Sequence, residues 1–288
     1  MRFVTSEPGG TNDITARLIS PGLSASLGQQ VLIDNRPAGV IPGQLVSKAP
    51  PDGHTLLVTT GLLWILPLIQ SAPFDPVRDF APVMFIASTP SVLVTHPSLP
   101  VKTVRELNAL AKARPGELDY ASGATGSGSH LAAELFKSMT GVNMVRVPYK
   151  GAGPAILGLL SGQVHLMFAT TTAAQPHIAA RKMKPLAVTS AQRSLLFPEL
   201  PTIAESGLSG YEAATPVVLV APAGTPAAIV NRLNADIAQL LKQNELRARF
   251  LASGLEVVAS SPAELAAFMK ADAARMSKVI KSQGIRVE

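Results

Sequence analysis

Short apolar runs alternate with longer amphipathic ones along the whole chain, the pattern of strands that feed helices in an α/β fold. Val31-Leu32-Ile33, Thr55-Leu56-Leu57-Val58, Val92-Leu93-Val94, Leu166-Met167-Phe168 and Pro185-Leu186-Ala187-Val188 read as buried strands. The helices between them carry start signals. Thr103 and Glu106 stand at capping-box spacing before a helix that runs to Ala113, and Ser261, Pro262 and Glu264 repeat the signature before the last helix. In that last helix Leu265, Phe268, Met269, Met276, Val279 and Ile280 fall on one stripe, as do Ile229, Val230, Leu233, Ile237, Leu240 and Leu241 after Thr225-Pro226. These stripes are packing faces, and the alternation predicts a largely parallel sheet.

Two strands are bracketed by prolines, within Pro90 to Pro97 and within Pro216 to Pro222. Proline cannot extend a ladder, so each strand has defined ends and suits a crossing between domains. Residues 1–97 plus 222–288 then form one lobe and residues 98–221 the other, a discontinuous two-lobe chain with a cleft between the lobes.

Three glycine-rich turns each follow an apolar run and open an amphipathic one. They are Glu7-Pro8-Gly9-Gly10-Thr11-Asn12-Asp13, the stretch from Ser122 to His130, and Tyr149-Lys150-Gly151-Ala152-Gly153-Pro154. A strand that enters a helix through glycine leaves unpaired N–H groups at the positive end of the helix dipole, which favours an anion. Any one such turn is ordinary loop chemistry. The set of three points to a small carboxylate or phosphate ligand.

Composition narrows this reading. Of 288 residues 47% are hydrophobic and 15% charged, which describes compact globular structure and excludes a disordered chain. No apolar run reaches the roughly 18 to 20 residues of a membrane span, since Leu56 to Ile69 is broken by Thr59, Thr60, Gly61 and Pro67. The net charge of +6 comes from scattered Lys and Arg without interleaved aromatics, which argues against nucleic acid and leaves a mild field for anions. With no cysteine there are no disulfides, thiolate chemistry or Cys-based zinc sites. Met1-Arg2 leads straight into the first strand, so the sequence is expected either to be cytosolic or to have had a leader removed or left out.

Catalytic motifs are missing. There is no Gly-x-Ser-x-Gly elbow, His-Glu-x-x-His helix or Walker lysine, and Ile156 occupies the third glycine position of the dinucleotide fingerprint begun by Gly151 and Gly153. No nucleotide or other cofactor is expected. His54, His96, His130, His165 and His177 lack metal spacing. His130 either braces its loop or meets a ligand; Asp13 is expected to hold the Gly9-Gly10 turn; Lys150, the only cation in the turns, either binds or pairs at the surface.

Pro8-Gly9-Gly10 with Asp13 and Ala16-Arg17, then Asn35-Arg36-Pro37 and Pro51-Asp52-Gly53-His54-Thr55, form an amino-terminal signature. It continues through Phe80-Ala81-Pro82-Val83, Val147-Pro148-Tyr149-Lys150-Gly151, Pro176-His177 and Pro222-Ala223-Gly224-Thr225-Pro226. Over nearly its whole length the chain resembles the Bug-type extracytoplasmic solute receptors, the substrate-binding proteins of tripartite tricarboxylate transporters. The resemblance implies a two-lobe periplasmic-binding-protein fold of type II, without catalysis or cofactor. Such a protein closes on a small organic acid and presents it to the membrane components of the transporter. It further implies ligand contacts from Pro8, Gly9, Gly10, Asn12, Thr60 and Gly61 on one wall. The other wall offers Ser122, Thr125, Gly126, Ser127, Tyr149, Lys150, Thr170 and Thr171, and no arginine clamp is expected.

The chain departs from the family pattern in two places. Ala38 to Gly43 is bulkier than the usual glycine-rich stretch, and Ala169 stands where Phe-Asp is frequent. With Leu62, Leu63 and Trp64 adding apolar bulk near the expected mouth, an apolar or aromatic acid is expected. An enzyme or a cytosolic ligand sensor on the same scaffold is the alternative.

Overall fold

The computed structural model describes residues 1–286, arranged as two compact units that the chain enters in turn. The first unit holds residues 1–88 and 215–278. Its chain runs β1 (Arg2–Thr5), α1 (Thr11–Leu27), β2 (Leu32–Asn35), α2 (Ile41–Ser47), β3 (Thr55–Thr60), α3 (Leu62–Ile69) and β4 (Phe80–Thr89). The second unit begins at Thr89 and runs to Ala214, through β5 (Ser91–Thr95), α4 (Val104–Ala113), β6 (Asp119–Ser122), α5 (Gly128–Thr140) and β7 (Val145–Pro148). It goes on through α6 (Ala152–Leu160), β8 (Leu166–Thr170), α7 (Thr171–Ala179) and β9 (Lys184–Val188). The chain then returns to the first unit with β10 (Thr215–Pro222), α8 (Ala227–Leu240), α9 (Asn244–Ala252), β11 (Glu256–Val257) and α10 (Pro262–Ser282). From Val279 on, α10 is grouped with the second unit.

Both sheets are mixed, in contrast to the largely parallel arrangement the alternation predicts. The first is ordered β11-β4-β10-β3-β1-β2, with β1 parallel to β2 and β3 while β10 runs antiparallel to β3. The second is ordered β7-β6-β8-β5-β9, with β6 parallel to β7 and β8 while β5 is antiparallel to β8 and β9. The cause lies in the two proline-bracketed strands: each is reached without a crossover helix and enters its sheet against the parallel set. Pro90 stands between β4 and β5, where the chain leaves one sheet for the other.

Each unit has its own core. In the first, Ile19 and Leu23 of α1 pack with Leu233 and Ile237 of α8 and Phe250 of α9. The two helices approach so closely that a Cβ on Gly22 would lie 2.6 Å from Leu240 Cδ2. The second core gathers Ile156, Leu159, Met167 and Phe197, and Phe136 makes ring contacts with both Phe168 and Tyr211. Ala169 is wholly buried in that second core.

The helix starts follow the sequence signals. Thr103 Oγ1 accepts from the Glu106 N–H at 3.1 Å. Ser261 and Glu264 form a reciprocal box, with Glu264 N donating to Ser261 Oγ at 3.2 Å and Ser261 N donating to Glu264 Oε2 at 2.7 Å. Trp64 departs from expectation. It is 1% exposed, its Nε1–H donates to Asp272 Oδ2 at 2.8 Å, and its ring meets Phe268 edge-on. An indole needs a partner for its N–H when buried, and α10 supplies one. Trp64 therefore ties α3 to α10 and adds no bulk to a mouth.

Candidate functional site

On the first unit the β1–α1 turn is built around Asp13. Gly9, held at φ +79°, donates its N–H to Asp13 Oδ2 at 2.9 Å, and Asn35 Nδ2 donates to Oδ1 at 2.8 Å. Arg17 adds an ion pair at 2.9 Å. Burial pushes the Asp13 carboxyl up, but the hydrogen bonds from Arg17, Gly9 and Asn35 and the charge of Arg17 outweigh it and hold the group below the usual carboxylate range. Asp13 thus has the bracing role its position suggested. The Gly9 amide is engaged inside the turn, Gly10 N donates to Glu7 O at 3.4 Å, and Pro8, Gly9 and Gly10 are exposed.

Asn12 and Thr60 come together. With Ser6 and Thr59 they line the polar side of a cavity of about 60 Å³ at the ends of β1 and β3. Asn12 is 8% exposed; its Nδ2 donates to Ser6 Oγ at 3.1 Å, while its Oδ1 is buried without a partner. Thr60 Oγ1 accepts from Leu62 N at 3.4 Å. Gly61 precedes α3 and is tightly packed, since a Cβ there would stand 3.1 Å from both Pro216 and Trp64. The residues that precede α1 and α3 are glycines and give no side-chain cap; in α3 the Leu62 N–H meets Thr60 Oγ1 and the Trp64 N–H meets the Gly61 carbonyl.

On the second unit the site is organised by a residue the sequence reading passed over. Arg146, on β7, donates from Nε to Ser122 Oγ at 2.7 Å, from one terminal nitrogen to Thr125 Oγ1 at 3.1 Å and from the other to the Gly123 carbonyl at 2.9 Å. Register explains the reach: β7 pairs with β6 in parallel, Arg146 opposite Tyr120, two residues before the turn begins at Ser122. An arginine between Val145 and Val147 was the available signal, because a charge inside a short apolar strand must face a polar partner.

Gly126 donates its N–H to His130 Nδ1 at 3.1 Å, and His130 N donates to Ser127 Oγ at 3.4 Å, which caps α5. His130 therefore braces its loop. Burial, with the charges of Arg146 and Lys137, overcomes Glu134 and lowers the imidazole to about 4. Beneath it Glu134 accepts from Lys137 Nζ at 2.9 Å and from the Tyr120 hydroxyl, whose own pKa is raised by burial and by that hydrogen bond.

The Tyr149 N–H donates to Ser122 O at 2.8 Å, but its ring lies on α6, where a Cβ at Gly158 would stand 2.2 Å from the hydroxyl. Lys150 is exposed. Gly151, at φ +110°, opens α6 without a side-chain cap. Thr170 opens α7 in the same way, and Thr171 is wholly buried with an unpartnered Oγ1. Among the described residues no cluster of His, Asp or Glu could hold a metal ion, and no helix is long and apolar enough to cross a membrane.

Comparison with known proteins places this arrangement. Residues 15–285 match the family described as tripartite tricarboxylate transporter family receptor. Protein BugT of Bordetella pertussis is 36% identical, with 99% of this chain and 89% of that protein aligned. Among solved structures, Rpa4515 of R. palustris with adipate superposes with a TM-score of 0.81 at 40% identity, covering 99% of this chain and 98% of that one. MatC from Rhodopseudomonas palustris with bound malate gives 0.77 at 30% identity, covering 97% and 99%. The chain belongs to the receptor family of the tripartite tricarboxylate transporters.

Proposed function

We propose that this protein is a periplasmic receptor that captures a small organic carboxylate and hands it to the membrane components of a tripartite transporter, without transforming it. The observation that carries the reading is an unpaired hydroxyl at the start of a helix. Among the described residues six buried side-chain oxygens lack a partner, and one of them, Thr171 Oγ1, stands in the first turn of α7, which has no side-chain cap, with an O–H free to donate to a carboxylate.

An anion is favoured on both sides. Helix dipoles contribute partial positive charge at α1, α3, α6 and α7, and Arg146 adds a formal charge among the hydroxyls of Ser122 and Thr125. The carboxylates adipate and malate, bound by the two structural relatives, belong to the same ligand class. Capture is closure of one unit on the other about the chain crossings beside Thr89, Thr215 and Val279. The cavity beside Asn12, at about 60 Å³, is too small for a benzene ring, which fills about 150 Å³, so what enters this cavity is an alkyl arm.

Native mass spectrometry of freshly purified protein tests the reading. A carried-over small acid, released unchanged on denaturation, is the expected result; turnover of added acids, or no acid bound at millimolar concentration, rejects it.

A further inference from the structure

The cavity beside Asn12 and Thr60 is polar only on one side. Its remainder is formed by Pro42 of α2, Val58 of β3, Leu62, Leu63 and Leu66 of α3, and Phe74. Phe74 is 8% exposed and packs edge-on against Phe80. It is seated there because position 43 is glycine: a Cβ would lie 2.7 Å from its ring. No Lys, Arg or His lines the cavity, and its rim at Ala38 and Gly39 is exposed.

The geometry points to an alkyl subsite: the ligand is a monocarboxylic acid with a short uncharged arm of two or three carbons that enters between α2 and α3. This rests on the carboxylate reading above and deepens it. The acid group stays at the polar side, near Ser6, Asn12 and Thr60, and the arm displaces water from the leucine, valine and phenylalanine surfaces. A second carboxylate at the tip of the arm would lose its hydration without meeting a cation, so dicarboxylates of the same length are rejected. Each added methylene strengthens binding about fourfold until the cavity is full.

Calorimetry with acetate, butyrate, hexanoate and succinate tests this on the wild type, Leu66→Phe and Leu66→Ala, with thermal melts to confirm folding. Leu66 is only half-buried, so both changes are tolerable. Butyrate is expected to bind at least about tenfold more tightly than acetate or succinate. Leu66→Phe should erase that preference, and Leu66→Ala should move the optimum toward hexanoate. A butyrate preference that survives in folded Leu66→Phe, or wild-type protein that prefers succinate, overturns the alkyl subsite. If Leu66→Phe does not fold, Leu66→Ala decides alone, and an unchanged chain-length preference overturns it. Binding of these acids without any preference sinks this inference and spares the receptor; no binding of any acid sinks both.

Discussion

Arg146 Nε donates to Ser122 Oγ at 2.7 Å across 24 positions of sequence, and through that bond the edge strand of the second sheet sets the shape of a glycine-rich turn. The same guanidinium holds Thr125 and the Gly123 carbonyl. Lysine offers one point charge and cannot span three acceptors. Arg146→Lys is expected to lower acid affinity more than tenfold and to destabilise the fold by about 2 kcal/mol, the scale of a charged hydrogen bond lost. Titration of ligand together with urea denaturation would read both effects; wild-type affinity would show that the turn's shape does not matter to binding.

Ser127→Asp separates capping from binding. Aspartate caps a helix as well as serine does, so α5 should keep its stability, while the new negative charge at the turn repels an anion. Affinity should fall about tenfold or more with the melting temperature held. Unaltered affinity would remove this turn from the contact surface.

His130 makes stability depend on pH. Its folded value of about 4 lies below the ordinary imidazole value of 6.5, so the unfolded chain takes up the proton first as pH falls. The contribution is complete above about 6.5 and is lost as pH descends toward 4. Between pH 7 and pH 5 the loss should be about 2 kcal/mol. Denaturation at the two pH values, wild type against His130→Gln, measures it; equal losses in both proteins would show that His130 is not the source.

Asp13 acts in the same pH direction for another reason. Its folded value is lowered, so its contribution is present above the ordinary carboxylate pKa and disappears as pH falls through the folded value. Asp13→Ala leaves the Gly9 N–H, Asn35 and Arg17 without their acceptor and should destabilise by about 2–3 kcal/mol. Equilibrium unfolding at neutral pH measures it, and a change below about 0.5 kcal/mol would mean the turn is held by other contacts.

Gly158→Ala tests the seat of Tyr149. The added methyl meets the tyrosine hydroxyl inside contact distance and should cost about 1–3 kcal/mol as an overpacking substitution. Trimming the ring in Tyr149→Leu should restore most of that loss in the double variant. Additive losses from the two changes would place the ring elsewhere.

Local patterns in the chain were enough for the alternation of strands and helices, the capping boxes at Thr103 and Ser261, the glycine-rich turns and the receptor family. These features are local: they depend on residues within four positions of one another, or on short motifs read in order. Asp13 was legible for the same reason, since Gly9 lies one helical turn away. Tertiary structure alone decided that Arg146 meets Ser122, because the reach depends on which strand lies beside β6. It turned Trp64 inward to Asp272, 208 positions away. It also set β5 and β10 antiparallel to their neighbours, left Asn12 Oδ1 and Thr171 Oγ1 unpaired, and brought Phe74 over Gly43 to line the apolar part of the cavity beside Asn12. Contacts between elements distant in the chain follow from sheet order and core packing, and no periodicity of the separate segments encodes them.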